Sequence, residues 1–477
     1  MAFSTMSITP SSQTPETGAL YRAVWRLHFY AGLVVAPFAI FLAITGALYL
    51  WKPQFEEWRY RDIFNVPIPA DEPALSADEQ FAAAREAFPP FRPVTFTPAV
   101  TSGRASQVEF NTPRGRLSAF VNPYTGELTG TIDETTRPMN VLHDLHGELL
   151  AGPAGGYIVE LAASWAFVLF LSGLYLWWPR PRFAVWGFLL PRLRAKGRIF
   201  WRDLHAVPAV WFSVMTLFLL TTGLLWSQAS GKWYRTISAT LGQGTPAETS
   251  AGAHRSELTG WSPPLRAGLA EEIDALASTP PAELDAHGSR AANLSTSGYE
   301  GPEDGALALD EVIAIAAERN VPQPYAIALP VGPAGVYSVI SDRHQALSRT
   351  YLHLDQYSGN VLADVRFKDF GYLAQFFLWG IIAHEGRLFG LANQILGSIA
   401  AAGVLLLAVS GLVMWWQRRP AGSLAAPVSN SSLPKPVVWG TLALSAALPL
   451  LAASLAALLV FDRALFRFVR KPQPHVA

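Results

Sequence analysis

The stretch that decides the fold is WRLHFYAGLVVAPFAIFLAITGALYLW, residues 25–51, an apolar run that begins and ends with tryptophan and holds no charge after Arg26. About 20 apolar residues suffice to cross a bilayer as a helix, and tryptophan is enriched at the two membrane–water boundaries. The stretch therefore predicts a transmembrane helix. It is also longer than the roughly 7–15 apolar residues of a cleaved signal peptide.

Further stretches near residues 157–178, 206–226, 388–416 and 437–461 have the same character. Charged residues make up only 15% of the chain and hydrophobic residues 51%, whereas soluble domains have about 25% charged residues. We therefore predict five spans. Pro449, in the middle of the last one, leaves two possibilities: a single crossing, which we favour, or a re-entrant hairpin.

The overall charge and the missing cysteine exclude several classes of function. Thirty-six Lys and Arg balance 36 Asp and Glu, so no overall positive field attracts nucleic acid, and we expect no nucleic-acid partner. The chain has no cysteine, which excludes disulfides, thiolate zinc sites, iron–sulfur clusters and covalently attached haem. Histidine is then the main side chain left to bind a transition metal.

Basic residues predict the orientation of the chain. Residues 179–204 carry seven Arg and Lys, and the loop after the fourth span carries three. Because positive short loops stay in the cytoplasm, we expect a bacterial inner-membrane protein with a cytoplasmic N-terminus. The long stretches 52–156 and 227–387 should then lie in the periplasm.

The chain contains an internal repeat. A shift of 238 residues places His146 on His384, Ser172-Gly173 on Ser410-Gly411 and Trp177-Trp178 on Trp415-Trp416. A shift of 177 places His28 on His205 and Thr45-Gly46 on Thr222-Gly223. We therefore predict a membrane α-helical bundle of two duplicated helix pairs plus a fifth, C-terminal helix.

The periplasmic segments repeat as well. Each should hold a helix, then strands, then a turn, Asn122–Glu127 in the first copy and 355–360 in the second, so each predicts a small α+β module. The chain thus divides into a cytoplasmic tail (1–26), span 1 (27–51), module 1 (52–142), a surface helix with span 2 (143–178), a basic loop (179–204), span 3 (205–227), module 2 (228–369) with a Pro/Gly/Ser-rich insertion (247–305), a surface helix with span 4 (370–416), a loop (417–436), span 5 (437–461) and a tail (462–477).

Four of the ten histidines occupy matched positions near the two ends of the spans. Duplication places equivalent residues on opposite sides of a pseudo-twofold axis, which suits a haem iron with two axial imidazoles. We predict two b-type haems, the inner one bound by His28 and His205 and the outer one by His146 and His384. His143 has no repeat partner, and we place it beside the outer ligands or as a substitute for one of them.

Two further sets of residues lie near these histidines. Arg22, Arg26 and Arg202 lie near the inner pair and Arg387 near the outer pair, where they could pair with haem propionates or, equally well, anchor the helices at the interface. The four Ser-Gly and Thr-Gly pairs permit close helix approach or leave room for a flat cofactor. For these pairs we favour helix packing.

With Trp25-Arg26-Leu27-His28, two Tyr-Thr/Ser-Gly turns, and His146 and His384 each followed by Ser-Gly and a double tryptophan, the chain resembles the PepSY-associated transmembrane family from about residue 20 to 420. Some members of that family are inner-membrane ferric-siderophore reductases. The resemblance implies two periplasmic PepSY-like modules, b-type haem in the membrane and outward electron flow. It does not identify the substrate.

The leading hypothesis is an oxidoreductase of the ferric-siderophore reductase type, which passes electrons through two haems to a periplasmic ferric siderophore or another Fe(III) chelate. No Rossmann glycine pattern is evident, so we expect a quinol or a protein as electron donor. The alternative is a non-enzymatic PepSY membrane protein that binds a partner in iron uptake. A transporter is a third reading, disfavoured because Glu160 is the only charged residue that we place inside the spans. The sequence identifies no catalytic residue.

Overall fold

The computed structural model describes residues 15–70, 72–178, 185–257, 305–341, 348–419 and 435–469. Parts of the predicted tails, of the basic loop, of the 417–436 loop and most of the 247–305 insertion lie outside these residues. The chain forms two compact units. We call Met1–Leu50, Leu142–Tyr234 and Leu391–Ala477 the membrane unit, and Trp51–Val141 with Arg235–Gly390 the sheet unit.

The helices are, in chain order, α1 (Pro15–Tyr49), α2 (Lys52–Arg59), α3 (Arg61–Phe64), α4 (Ala77–Ala87), α5 (Pro138–Glu148), α6 (Gly152–Trp177), α7 (Gly197–Leu224), α8 (Gln228–Thr240), α9 (Leu309–Glu318), α10 (Tyr372–His384), α11 (Leu391–Arg418), α12 (Lys435–Ala447) and α13 (Pro449–Val469). The strands are β1 (Arg92–Thr97), β2 (Ser106–Thr112), β3 (Gly115–Val121), β4 (Leu128–Asp133), β5 (Ala326–Ala328), β6 (Val336–Ser341), β7 (Thr350–Asp355) and β8 (Val361–Arg366). Short 3₁₀ turns lie at Ala247–Thr249, Ala251–Ala253 and Phe367–Asp369.

Among the described residues, four helices are long and apolar enough to cross a membrane: Leu20–Tyr49 of α1, then α6, α7 and α11. The shortest has 26 residues, which at about 1.5 Å per residue exceeds the roughly 30 Å of a bilayer core. Four of the five predicted spans are therefore confirmed as helices of membrane-spanning length. The protein is a membrane protein.

The four long helices pack side by side, α1 and α7 each contacting both α6 and α11. Small residues allow the close approach. A Cβ on Gly403 of α11 would lie 2.5 Å from the ring of Phe212 on α7, and one on Gly397 would lie 2.7 Å from Leu50. Helix packing of the kind expected for small residues in membranes thus operates at these glycines.

The predicted fifth span forms two helices, α12 and α13, rather than one. Proline has no N–H to donate, and the helix is interrupted just before Pro449. Helical hydrogen bonds continue on both sides, from Leu448 N to Leu444 O (2.9 Å) and from Ala452 N to Leu448 O (3.1 Å). The Trp165 indole of α6 donates to Ser454 Oγ at 3.2 Å, so α13 packs on the bundle. Whether this pair crosses the membrane once stays a prediction.

The sheet unit contains a single eight-stranded sheet in the order β4-β3-β2-β1-β5-β6-β7-β8. The strands predicted in each segment are present, as β1 to β3 in the first and β5 to β7 in the second. The outermost strands β4 and β8 are additional. All neighbours pair antiparallel, and the halves meet where β1 pairs with β5 through Thr95–Ala328 and Phe96–Ile327. The two predicted modules are therefore halves of one sheet, not separate modules.

Helices α4 and α9 each cap the other. A capping box joins Ser76 and Glu79 at the start of α4. In addition, Asp78 accepts from the backbone N–H of Leu309 at 3.0 Å, and Asp310 accepts from that of Ala77 at 3.0 Å. A carboxylate at a helix N-terminus satisfies donors that have no partner within the helix. Both helices pack on one apolar core shared by the two halves of the sheet.

Candidate functional site

His28 lies eight residues after the start of the first span, at Leu20. Its Nδ1 lies 2.9 Å from Ser172 Oγ on α6. The Ser172 hydroxyl donates its own proton to the Leu169 carbonyl at 3.0 Å, so its oxygen accepts from His28. This network assigns the His28 proton to Nδ1 and leaves the Nε2 lone pair open to a metal.

His205 has the same arrangement on α7, eight residues after Gly197. Its Nδ1 lies 3.1 Å from Ser410 Oγ and 3.0 Å from the Leu407 carbonyl oxygen. A carbonyl only accepts, and the Ser410 hydroxyl donates to Leu406 O at 2.6 Å. Nδ1 must therefore carry the proton, and Nε2 is again the nitrogen that could bind a metal.

His146, on α5, repeats the pattern once more. Its Nδ1 lies 2.8 Å from Thr45 Oγ1 of α1, whose hydroxyl donates to the Phe41 carbonyl at 2.9 Å. Three of the four predicted ligands thus donate Nδ1–H to a hydroxyl oxygen, and each of these hydroxyls donates its own proton to a backbone carbonyl. A fixed tautomer and ring orientation is what a metal-binding histidine requires from its surroundings.

The glycine after each hydroxyl makes room for the imidazole. A Cβ on Gly46 would lie 3.0 Å from Cε1 of His146, one on Gly173 would lie 3.2 Å from Cε1 of His28, and one on Gly411 would lie 3.4 Å from Cε1 of His205. The first two distances are tighter than ordinary van der Waals contact. We interpreted these Ser-Gly and Thr-Gly pairs as helix-packing residues. In the structure, three of these pairs contact a histidine: the hydroxyl bonds its Nδ1, and the glycine leaves space for its ring. The interpretation as packing residues alone is therefore corrected.

The ring centres of His28 and His205 lie 6.3 Å apart, with the ring planes inclined at 84°. An imidazole nitrogen lies about 2 Å from a bound transition metal and about 1.1 Å from its own ring centre, so two collinear ligands place their centroids about 6.2 Å apart. The separation and the donor set therefore fit the two axial ligands of one haem iron.

The outer histidines lie in different units. The predicted surface helices are present as α5 and α10, and His384 is the last residue of α10 in the sheet unit. His143, one turn before His146, bonds instead to Asp144 at 3.2 Å and lies 5.6 Å from the Tyr49 ring centre. The two histidines of α5 thus have different partners, and only His146 shares the hydroxyl pattern. The pairing of His146 with His384 stays a prediction.

Two of the predicted arginines already have carboxylate partners. Arg202 donates to Asp203 Oδ1 at 2.6 Å, and Arg387 donates through Nε to Glu385 Oε2 at 2.6 Å. Arg26 is half-buried on α1. The role of these arginines at haem propionates stays a prediction.

Sequence reasoning missed Asp203, which is only 1% exposed and accepts hydrogen bonds from both Arg192 and Arg202. Helix α7 begins at Gly197, before the predicted start of the third span at residue 205, so Asp203 is, besides Glu160, a second carboxylate on a helix of membrane-spanning length. The sequence feature that could have pointed to Asp203 is its position: it is the single carboxylate of the basic loop and lies two residues before His205.

Glu160 holds the start of α8. Its side chain, 1% exposed, accepts from the backbone N–H of Ala229 and Ser230, both at 2.8 Å, and from Ser230 Oγ at 2.6 Å. A carboxylate at a helix N-terminus is a stable structural arrangement. Glu160 therefore fixes α8 on α6.

A second pair of histidines lies in the sheet unit and was not predicted. His353 is buried on β7, bonds Ser338 Oγ at 2.8 Å and the Thr249 carbonyl at 3.2 Å, and its ring centre lies 4.8 Å from that of His254. Burial, with His254 beside it, lowers the pKa of His353 to about 4. Both nitrogens of His353 accept or donate a hydrogen bond, so His353 differs from His28 and His205, whose Nε2 atoms could bind a metal. Among the described residues, no three His, Asp or Glu could hold a bare metal ion.

The comparisons with known proteins assign the family. The model of the PepSY-associated TM region matches residues 25–418, from the tryptophan before His28 to the end of α11. The search of curated proteins gives no match. The chain belongs to the PepSY-associated transmembrane family, as its sequence motifs predict.

Proposed function

We propose that this protein carries electrons across the bacterial inner membrane through two b-type haems and reduces a ferric siderophore, or another Fe(III) chelate, in the periplasm. The observation that carries the proposal is the state of three predicted ligands. His28, His205 and His146 each donate Nδ1–H to a hydroxyl, and this leaves the Nε2 atoms of His28 and His205 as the nitrogens that could bind iron. Helix packing alone gives no reason for three such tautomers.

Each residue of the inner pair has a role in this proposal. His28 and His205 would hold the iron through Nε2, while Ser172 and Ser410 fix the rings and raise the basicity of the ligands. A haem held in this way supplies one-electron transfer. The surrounding apolar helices exclude water and so lower the local polarity, which is one means of setting its potential.

The substrate step is a single-electron reduction. One electron, given by a quinol or a donor protein, converts Fe(III) in the chelate to Fe(II), and no covalent bond to the protein forms. Hard oxygen donors bind Fe(II) less tightly than Fe(III), so the iron is released more easily. We propose that the Fe(III) chelate binds at the sheet unit, which would face the periplasm.

The duplicated layout belongs to the same proposal. Under the repeat, α1 with α6 corresponds to α7 with α11. His28 and His205 would then hold the inner haem between the two halves of the repeat, and His146 with His384 would hold the outer haem. An N-terminus in the cytoplasm follows from the basic loops.

The proposal is tested with single ligand variants of the full chain in detergent. We expect His28→Ala and His205→Ala each to lose about one haem of two, with the same haem lost, and both to abolish ferric-siderophore reduction by the chemically reduced protein. His254→Ala, which removes a histidine of the sheet unit, is the matched control and should keep both haems. If the two ligand variants retain the wild-type haem content and spectrum, the pairing is wrong, and the non-enzymatic binding protein becomes the better reading.

A further inference from the structure

The segment that joins α6 to α7 is docked at one end of both spans. We call residues 185–196 the strap. The ring of Trp177, at the end of α6, stacks on Phe188 of the strap with centroids 4.0 Å apart and planes 10° apart, and its indole donates to the Phe188 carbonyl at 3.0 Å. The Trp211 indole of α7 donates to the Leu189 carbonyl at 2.9 Å. The strap therefore has a fixed place at the membrane boundary.

The strap is closed by a turn that needs glycine. Gly187 has φ +82° and donates to the Leu190 carbonyl at 2.6 Å. The Arg192 guanidinium occupies the space where a Cβ would lie, with its nearest atom at 2.6 Å. Arg192 is itself fixed, because both its guanidinium and its backbone N–H bond Asp203. The strap is thus a built feature of the membrane unit.

The docked strap and the start of α7 expose large apolar side chains. Trp186 is 62% exposed, Leu193 66% and Ile199 50%. Side chains of this size, exposed at the end of two spans, are suited to the boundary between headgroups and acyl chains.

Exposed cations lie between these apolar residues. Arg194, Lys196 and Arg198 are exposed, and in the described part of the chain no carboxylate pairs with them. Arg198 also faces Arg418 at the end of α11, so two like charges repel. The flanking residues 179–202 and 417–436 contain no Asp or Glu, and Asp203 is already bound by two arginines. An anion from outside the chain would therefore neutralise the positive charge of Arg194, Lys196 and Arg198.

We propose that the strap and the first turn of α7 bind the phosphate headgroup of an acidic phospholipid. Arg194, Lys196 and Arg198 would contact the headgroup, and Trp186 and Leu193 would enter the acyl boundary. A basic cluster beside apolar anchors at a span end is the arrangement that attracts anionic lipid. The proposal needs only that α6 and α7 cross a membrane, so it does not depend on haem.

The test measures binding of phosphatidylglycerol and phosphatidylcholine to the full chain in neutral detergent by native mass spectrometry. We expect the wild type to prefer phosphatidylglycerol at least tenfold. The triple variant R194Q/K196Q/R198Q should bind it on the order of 100-fold more weakly, since each surface cation near anionic lipid contributes about fivefold. The matched control, R85Q/R114Q/K368Q, removes three exposed cations of the sheet unit and should leave the preference unchanged.

Two further measurements test the proposal even if the triple variant R194Q/K196Q/R198Q misfolds. The charge-conserving variant R194K/R198K should retain the preference for phosphatidylglycerol. Addition of millimolar inorganic phosphate should leave the bound phosphatidylglycerol in place. Equal binding of the two lipids by the wild type, an unchanged preference in R194Q/K196Q/R198Q beside a folded control, or displacement of the lipid by inorganic phosphate would each overturn the proposal.

Discussion

The hydroxyl that holds His28 offers the sharpest prediction. Ser172→Ala removes the oxygen that accepts from His28 Nδ1 at 2.9 Å. The ring then loses one hydrogen bond that fixes its tautomer, a net contribution of about 0.5–1.5 kcal/mol, and the Leu169 carbonyl remains as the other acceptor. Loss of a hydrogen bond to a metal-binding histidine lowers metal affinity about 10- to 100-fold, or about 1.4–2.7 kcal/mol. The two ranges meet at about 1.4 kcal/mol, so we expect about tenfold weaker binding of the inner haem.

The same helix supplies the control. Ser164 lies two turns before Ser172 on α6, is fully buried, and its hydroxyl has no hydrogen-bond partner within the described chain. Ser164→Ala therefore removes an equivalent atom without removing a bond and should leave haem affinity within about twofold of the wild type, well below the loss typical of a hydrogen-bonding ligand partner.

The assay is the rate of haem transfer from the full-length protein to an excess of a haem-scavenging apoprotein. Ser172→Ala should speed release of one haem of two. It should also raise the reduction potential of that haem, because the ligand becomes less basic. An unchanged release rate in Ser172→Ala, or an equal change in Ser164→Ala, would refute the role given to the hydroxyl.

Three other perturbations have expected outcomes. Gly173→Ala should weaken the inner haem more than Gly411→Ala, because the added Cβ would lie 3.2 Å rather than 3.4 Å from the imidazole; haem content after gel filtration measures this, and the reverse order would contradict it. Asp78→Ala should lower the stability of the sheet unit by about 1–2 kcal/mol by removing the cap on α9, whereas Asp62→Ala, at a carboxylate 99% exposed, should not; chemical denaturation compares them. Acidification should destabilise the sheet unit as pH falls from about 6.5 towards 4, because the folded-state pKa of His353 lies at about 4, below its unfolded value, and the contribution, at most about 3 kcal/mol, is present above 6.5 and lost below it. His353→Gln should flatten that pH dependence, and an equal slope in both proteins would exclude His353 as its source.

The apolar pattern and the tryptophan belts were sufficient to predict the long helices, because a bilayer fixes both the length and the composition of a span. The start of the third span was less well defined. Asp203 and the arginines around it resemble a loop in sequence, but their mutual ion pairs allow helix α7 to extend back to Gly197. Such pairing depends on a fold that composition does not reveal.

The candidate ligands could be selected from the sequence because repeat-matched histidines are rare. The hydroxyl partners could not be assigned in that way. Thr45 lies 101 residues from His146 and Ser172 lies 144 from His28, and small residues in apolar helices have a commoner explanation in packing. The sequence also did not predict that the two modules form one sheet. The strands that join them, β1 and β5, pair through only two residue pairs, Thr95–Ala328 and Phe96–Ile327.

The central claim is that the repeat-matched histidines bind haem. The most direct measurement is a pyridine haemochrome spectrum of the purified full-length protein, combined with protein quantification by amino-acid analysis. The account predicts a b-type spectrum with about two haems per chain, as two bis-histidine sites require. A protein that contains no haem after expression with ample haem supply would contradict it.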